Sequence, residues 1–580
     1  MTEILENITL TTILYLFLII IFIPSGHLLA TKLLKNCPSE IQSAACFGFS
    51  FLLLGSLLSL LLALQLPLAL IRVTIIFTVF FSLFFWIRDK HYLVFFTKDI
   101  SLLLVLTLLF LFTFNLLSAH PKGDFRNISP NTTMELTKLP IDNLIPYNVS
   151  RYFLEELEPA RIDVTPDWKI TDRGPLGGII FSIVRLTLGL EEKGNWLEPS
   201  AGLFWLYQTT LSLANLLSCW ALFICGKYLF SRRVALLALL LFSSTSFFYL
   251  NTIFSWPKFL SAYLFVLGLF LLIHYGLRFI GGIFIGLAQL AHDSILFYII
   301  SLIFFLLIQN LIYRHNLLSK IKEESKLLCG LLLPILPWTI YKQLHPLGIP
   351  RLFIMHVLCI EQQDIAEISI PQALTKYWSS HTLAELLEVR LFNLLYPWNP
   401  LPFFQQLSSH LSSVSKFMIF YNDASFFQLW CGVGPITYLL FLASLFFLIA
   451  SPILNRSFIK MPFIKMLGIT LGAILPVALI LSCRASSVSH QWAYSAFLLV
   501  ILGAASAIPR LGVIGKLLLA ISLGINLFFA ITLFVFYSKL ELIIYASQSI
   551  LLCAGFLIAL IYLMLLSELF LDRTANHHEN

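Results

Sequence analysis

The chain has 580 residues, of which 59% are hydrophobic, 14% aromatic and only 12% charged, and it carries a formal net charge of +7. Its mean hydropathy of +0.89 leaves too little polar surface to cover a water-soluble globule of this length. These values exclude a soluble enzyme or nucleic-acid-binding module and point to an all-α polytopic membrane protein, surrounded by membrane lipid and with no nucleic-acid partner.

Apolar windows able to fill a hydrocarbon core of about 30 Å fall near 8–30, 42–64, 66–87, 99–118, 201–226, 234–252, 258–277, 279–294, 294–312, 327–342, 428–452, 466–483, 490–508, 514–537 and 543–568. They predict about fifteen spans. The first lacks a basic leader and a small-residue cleavage pattern, so it is expected to be a retained span. The organisation predicted is N-terminal spans over 1–118, an external loop over 119–200, central spans over 201–342, a second external segment over 343–427, C-terminal spans over 428–568 and a polar tail over 569–580. Both external segments are expected to carry short interfacial helices. Of the nine cysteines, only Cys359 with Cys431 or Cys483 offers a pairing worth testing.

Basic residues recur in alternate connections: Lys32 and Lys35; Arg88, Lys90 and Lys98; Lys227, Arg232 and Arg233; Arg278; Arg314 to Lys326; Arg456 to Lys465; Arg510 and Lys516. Placing that side in the cytoplasm puts the N-terminus and both long segments outside. A bacterial inner membrane, with the active face away from the cytoplasm, is the expected setting.

Within the first loop, Val149 to Leu157 follows Pro146 and places Tyr152 and Glu156 one turn apart, which predicts a short helix. Gly174-Pro175-Leu-Gly-Gly then opens an apolar stretch to Leu190, too short to cross easily and read as re-entrant or interfacial. In the second segment, Leu383, Leu386, Leu387, Val389, Leu391 and Leu394 predict an amphipathic helix over 382–395. Asn127, Asn131 and Asn148 begin glycosylation triplets.

Asp142-Asn-Leu-Ile-Pro-Tyr147, the Arg151-Tyr-Phe-Leu run, Asp167-Trp168 and Asp172-Arg173-Gly-Pro175-Leu176 together resemble the first external loop of GT-C type glycosyltransferases that use lipid-linked sugars. The bacterial aminoarabinose and protein mannosyl transferases are the families most similar. In them an acidic pair opens the loop, an aromatic residue and a short amphipathic helix follow, and a proline-containing element comes later. The resemblance spans about fifty residues and implies that Asp142 stands at the catalytic acid, with Tyr147, Asp172 and Arg173 in substrate binding. Asn143 replaces the second acid of the pair and four spans precede the loop rather than one, so Asp124 is a rival for the catalytic position.

Transfer from a polyprenyl phosphate needs a carboxylate to take the acceptor's proton and cations to stabilise the departing phosphate. Arg173, Lys258, His292 and Arg484 are the cations expected on the outer side, with Asp293 beside His292 as a further binding candidate. Trp256 with Lys258 is equally read as an interfacial anchor, and His292 with Asp293 as a structural pair. No Gly-rich phosphate loop precedes a helix, so no nucleotide cofactor is expected; a divalent cation between Asp142 and Asp172 is left open. The function these readings favour is sugar transfer from a polyprenyl-phosphate donor to a lipid, glycan or protein acceptor of the cell envelope. A transporter or lipid flippase is the alternative from another class. A polysaccharide ligase or polymerase, working through late-segment residues such as His381 and Arg390, is the third.

Overall fold

A computed structural model describes residues 2–118, 141–155, 174–190, 201–313, 317–344, 369–399, 404–405, 409, 429–450, 461–481, 486–537 and 548–578. Every regular element among them is helical. The N-terminal group is α1 (Thr2–Leu33), α2 (Ser39–Ala63), α3 (Leu68–Arg88), α4 (His91–Phe95) and α5 (Lys98–Ser118). A 3₁₀ turn (Ile141–Leu144) leads into α6 (Ile145–Glu155), and α7 spans Leu176–Leu188. The central helices are α8 (Ala201–Leu229), α9 (Arg232–Ser244), α10 (Ser246–Ile253), α11 (Lys258–His274), α12 (Arg278–Ala291), α13 (Ile295–Tyr313) and α14 (Leu317–Leu344). The later ones are α15 (Ile370–Ser380), α16 (Leu383–Leu395), α17 (Leu429–Val433), α18 (Pro435–Ala450), α19 (Met461–Gly472), α20 (Ile474–Ile480), α21 (Ser486–Ala507), α22 (Gly512–Tyr537) and α23 (Gln548–His578).

Nine helical stretches among the described residues are long and apolar enough to cross a bilayer, or ten if the bent α9–α10 pair forms one span. Each hydropathy window falls on a helix or a broken helix, but several helices are short. α12 has 14 residues, about 21 Å of axis against a core of about 30 Å. Helix length and composition therefore support a multi-pass membrane protein with fewer clear spans than the fifteen windows.

α8 runs through the centre, packed against α2, α5, α9, α11 and α21. Around it, α3 and α13 turn residues such as Phe77, Phe80, Phe304 and Leu307 outward, as a lipid-facing surface requires. α9 and α10 diverge by 71°. Ser243, Ser244 and Thr245 donate their hydroxyls to the carbonyls of Leu240, Leu241 and Phe242, and the Thr245 oxygen then caps α10 by accepting from the Phe248 amide. Three consecutive hydroxyls thus compete with the backbone ladder and end one helix where hydropathy runs on.

Charged helix ends gather on one face. Asp99 at the start of α5 accepts from Lys227 and Arg232, both at 2.7 Å; Lys227 also reaches Glu40 at 2.9 Å, and Arg232 reaches Glu568 at 2.6 Å. Ends of α2, α5, α8, α9 and α23 are thereby tied together on the basic side. From that face α2 runs to the opposite one, where α6 and α7 pack.

Candidate functional site

The site on the opposite face is built around α6 and α7. Gly178 in α7 lets the helix approach Val149 and the Pro146 carbonyl of α6 more closely than any side chain would allow. Tyr147 is fully buried, stacked on Phe181 at 5.6 Å and edge-on to Tyr207 of α8 at 5.4 Å. The Tyr207 hydroxyl donates to the Asn143 carbonyl, which fixes the turn carrying the backbone of Asp142 against α8. The Asn143 side chain is fully buried, and among the described residues neither its amide nitrogen nor its oxygen has a hydrogen-bond partner.

Gly174 lies against the end of α12, where a Cβ would collide with the Leu290 carbonyl. The chain leading from the predicted late element is therefore brought beside His292, which ends α12 in extended conformation. His292 is buried, its Nδ1 accepting from the Ser294 amide at 3.2 Å with the Ser294 hydroxyl at 2.8 Å. An acceptor Nδ1 places the proton of the neutral ring on Nε2. Asp293 is exposed and accepts from the Gln289 amide at 3.3 Å. The two side chains that sequence reading pairs thus sit in different environments.

Lys258 is buried at the start of α11, its ammonium 3.5 Å from the centre of the Trp256 ring and 5.1 Å from that of Tyr494. Trp256 is buried too, so this turn is internal and does not anchor an interface. Asn215 of α8 holds it, donating to the Trp256 carbonyl at 2.7 Å and accepting from the Leu260 amide at 3.0 Å. From Tyr207 to Asn215, α8 rises about 12 Å, which sets the Lys258 turn deeper in the bundle than Asn143. Ser255, immediately before Trp256, has φ of 61°, a left-handed conformation that costs a non-glycine residue free energy and that clusters at functional sites.

Asp124, Asp172, Arg173 and Arg484 lie outside the described residues, as do Cys359 and Cys483. Asn148 is buried within α6, a poor position for a glycosylation acceptor. His381 and Arg390 converge on Tyr377: His381 Nδ1 lies 2.9 Å from its carbonyl, and Arg390 donates to its hydroxyl at 2.9 Å. These contacts fold α15 onto α16. Among the described residues, no group of three or more His, Cys, Asp or Glu side chains is placed to hold a metal ion.

Two features escaped sequence reading. Arg185, in the middle of apolar α7, is fully buried and donates to Glu155 at 2.7 Å, while Arg151 donates to the other oxygen of the same carboxylate at 3.0 Å. The second feature is a pair of adjoining cavities. One, of about 400 Å³, is apolar and lies between α2, α7, α12 and α14, bounded by Gly55, Ile179, Leu287, Pro334, Trp338 and Tyr341. The other, of about 680 Å³, is edged by the α2–α3 turn and by Leu154 and Glu155. Leu62 and Phe153 line both.

Helix length and composition define a multi-pass, all-helical membrane protein, and the two adjoining cavities are its candidate site. No family model, no curated protein and no solved structure matches the chain.

Proposed function

We propose that the protein is an integral-membrane glycosyltransferase that moves a sugar from a polyprenyl-phosphate donor to an acceptor on the face opposite the basic one. The observation that carries this reading is the apolar cavity joined through Leu62 and Phe153 to a larger, partly polar one, directly against the helix that follows Asp142. A donor with an isoprenoid tail and a polar head has two such parts. Pro334 and Pro337 lie within α14 and line the apolar cavity. Lys258 and His292 supply buried polar groups. In this scheme Asp142 takes the acceptor's proton and the cations stabilise the phosphate as the sugar carbon leaves it.

The test is sugar transfer in membranes containing the wild-type chain, Asp142→Asn or Asp124→Asn, given radiolabelled polyprenyl-phosphate sugars, with protein level checked by immunoblot. Loss of about 10²–10⁴-fold at Asp142 alone is expected for a missing general base. Loss at Asp124 alone would move the base, and full activity in both variants would remove loop carboxylates from the mechanism.

A further inference from the structure

We infer that Glu155 reads the hydroxyl groups of a neutral sugar in the larger outer cavity, as the head of a lipid whose chain lies in the adjoining apolar cavity. The inference rests on the transferase reading only for calling the ligand a sugar-headed lipid. Its physical basis is the geometry of one carboxylate. Arg151 holds Oε2 from one helical turn away and Arg185 holds Oε1 from α7, with the guanidinium groups 3% and 0% exposed and the acid 13% exposed. The cations thus stand behind, and of the three groups only Glu155 lines the cavity.

That arrangement selects a ligand class. With a guanidinium bonded to each oxygen, the carboxylate still has lone-pair positions left to accept from a further donor. An incoming ammonium would face two guanidinium groups behind its partner, and a phosphate in direct contact with Glu155, unlike a donor phosphate separated from it by the sugar ring, would face the carboxylate itself. A neutral hydroxyl donor meets neither repulsion.

Gln65 supports the same reading. It lies on the wall of the cavity with φ of 52°, a strained conformation in the tight α2–α3 turn, and its amide offers both donors and an acceptor. Leu62, Leu66 and Phe153 provide apolar surface for the carbon faces of a ring. The volume of about 680 Å³ is of the size that holds small ligands.

The experiment is binding of tritiated octyl glucoside to the full chain in lipid nanodiscs, corrected for empty discs, with unlabelled octyl glucoside, octylamine and octyl phosphate as competitors. Saturable binding displaced by octyl glucoside but poorly by the other two is expected. Glu155→Gln should weaken it about tenfold or more, as loss of a charged hydrogen-bond acceptor does. Gln65→Ala, on an exposed turn, should weaken it severalfold with an unchanged melting profile. Wild-type affinity in folded Glu155→Gln, equal displacement by octylamine, or no saturable binding by the wild type overturns the inference. If Glu155→Gln does not fold, wild-type affinity in Gln65→Ala does so. Glu155-dependent binding without transfer from any lipid-linked sugar would sink the transferase reading alone. Transfer by Glu155→Gln at the wild-type kcat/KM would sink this inference alone.

Discussion

Asp99→Asn is the sharpest test of how the basic face is held. The carboxylate is 7% exposed and bridges Arg232 and Lys227, each at 2.7 Å. An asparagine keeps the shape, but it removes the charge and turns an NH₂ toward one of the two cations. Removing one member of a buried ion pair costs about 3–5 kcal/mol because the remaining charge stays buried without compensation. Here Lys227 retains Glu40 and Arg232 retains Glu568, so the lower end, about 3 kcal/mol, is expected, more than a hundredfold in the ratio of folded to unfolded protein. The assay is equilibrium unfolding in mixed micelles, followed by tryptophan fluorescence, for wild type, Asp99→Asn, Arg232→Gln and the double variant. The loss should persist at about 0.5 M salt, because partly buried pairs are weakly screened. A loss below about 1 kcal/mol, the range of an exposed pair, would refute the reasoning. So would a coupling in the cycle of less than about 0.5 kcal/mol.

Gly174→Ala drives a methyl group into the Leu290 carbonyl and should destabilise by about 1–3 kcal/mol, read as a lower melting temperature, whereas Gly202→Ala, which meets open space, should not. Trp338→Ala and Phe153→Ala enlarge the apolar cavity and should raise the KM for a lipid-linked donor more than they lower kcat; an unchanged KM would separate that cavity from the lipid chain. Glu385 bonds the Thr382 amide at 2.8 Å in the capping box of α16, and this bond holds its carboxyl below the usual carboxylate range. Its contribution is therefore complete above the unfolded-state pKa and lost as pH falls through the lower folded value, so α16 should fray below about pH 4, seen as reduced amide protection at 383–386, and Glu385→Gln should flatten that dependence. Single cysteines replacing Gln65 and Lys90, in a background with Cys329, Cys359, Cys483 and Cys553 changed to Ser, should react with an impermeant maleimide from opposite sides of the membrane; labelling from one side would overturn the assigned path of α3.

Sequence patterning made the helices legible, including α7 after Gly174-Pro175, the Thr382-capped α16 and α6, which starts at Ile145, ahead of the predicted 149–157, with Glu156 and Leu157 outside the described residues. It could not show where they break. The window over 234–252 is continuous in apolar content, and only the run Ser243-Ser244-Thr245, whose hydroxyls turn back on the helix, marks the bend. Gly434, with φ of 87°, similarly divides α17 from α18 inside one window. Within the site, Tyr147, Lys258 and His292 were recognisable as residues, but their surroundings depend on Phe181, Asn215 and Ser294, which sequence spacing does not connect to them. Arg185 carried a signal: an ionisable residue inside an apolar helix seeks a partner. Its partner, Glu155, lies 30 positions earlier on another helix, a separation no local periodicity encodes.

The ion pairs on the basic face also bear on how the chain is assembled. Arg232 and Glu568 are 336 positions apart, whereas Asp99 and Lys227 are present long before the last helix is made. During synthesis Arg232 must wait beside Asp99 with only part of its final compensation until α23 arrives. The helix carrying Glu568 therefore closes a charge network begun far earlier in the chain, and the compensation at that face is a record that synthesis has passed Glu568.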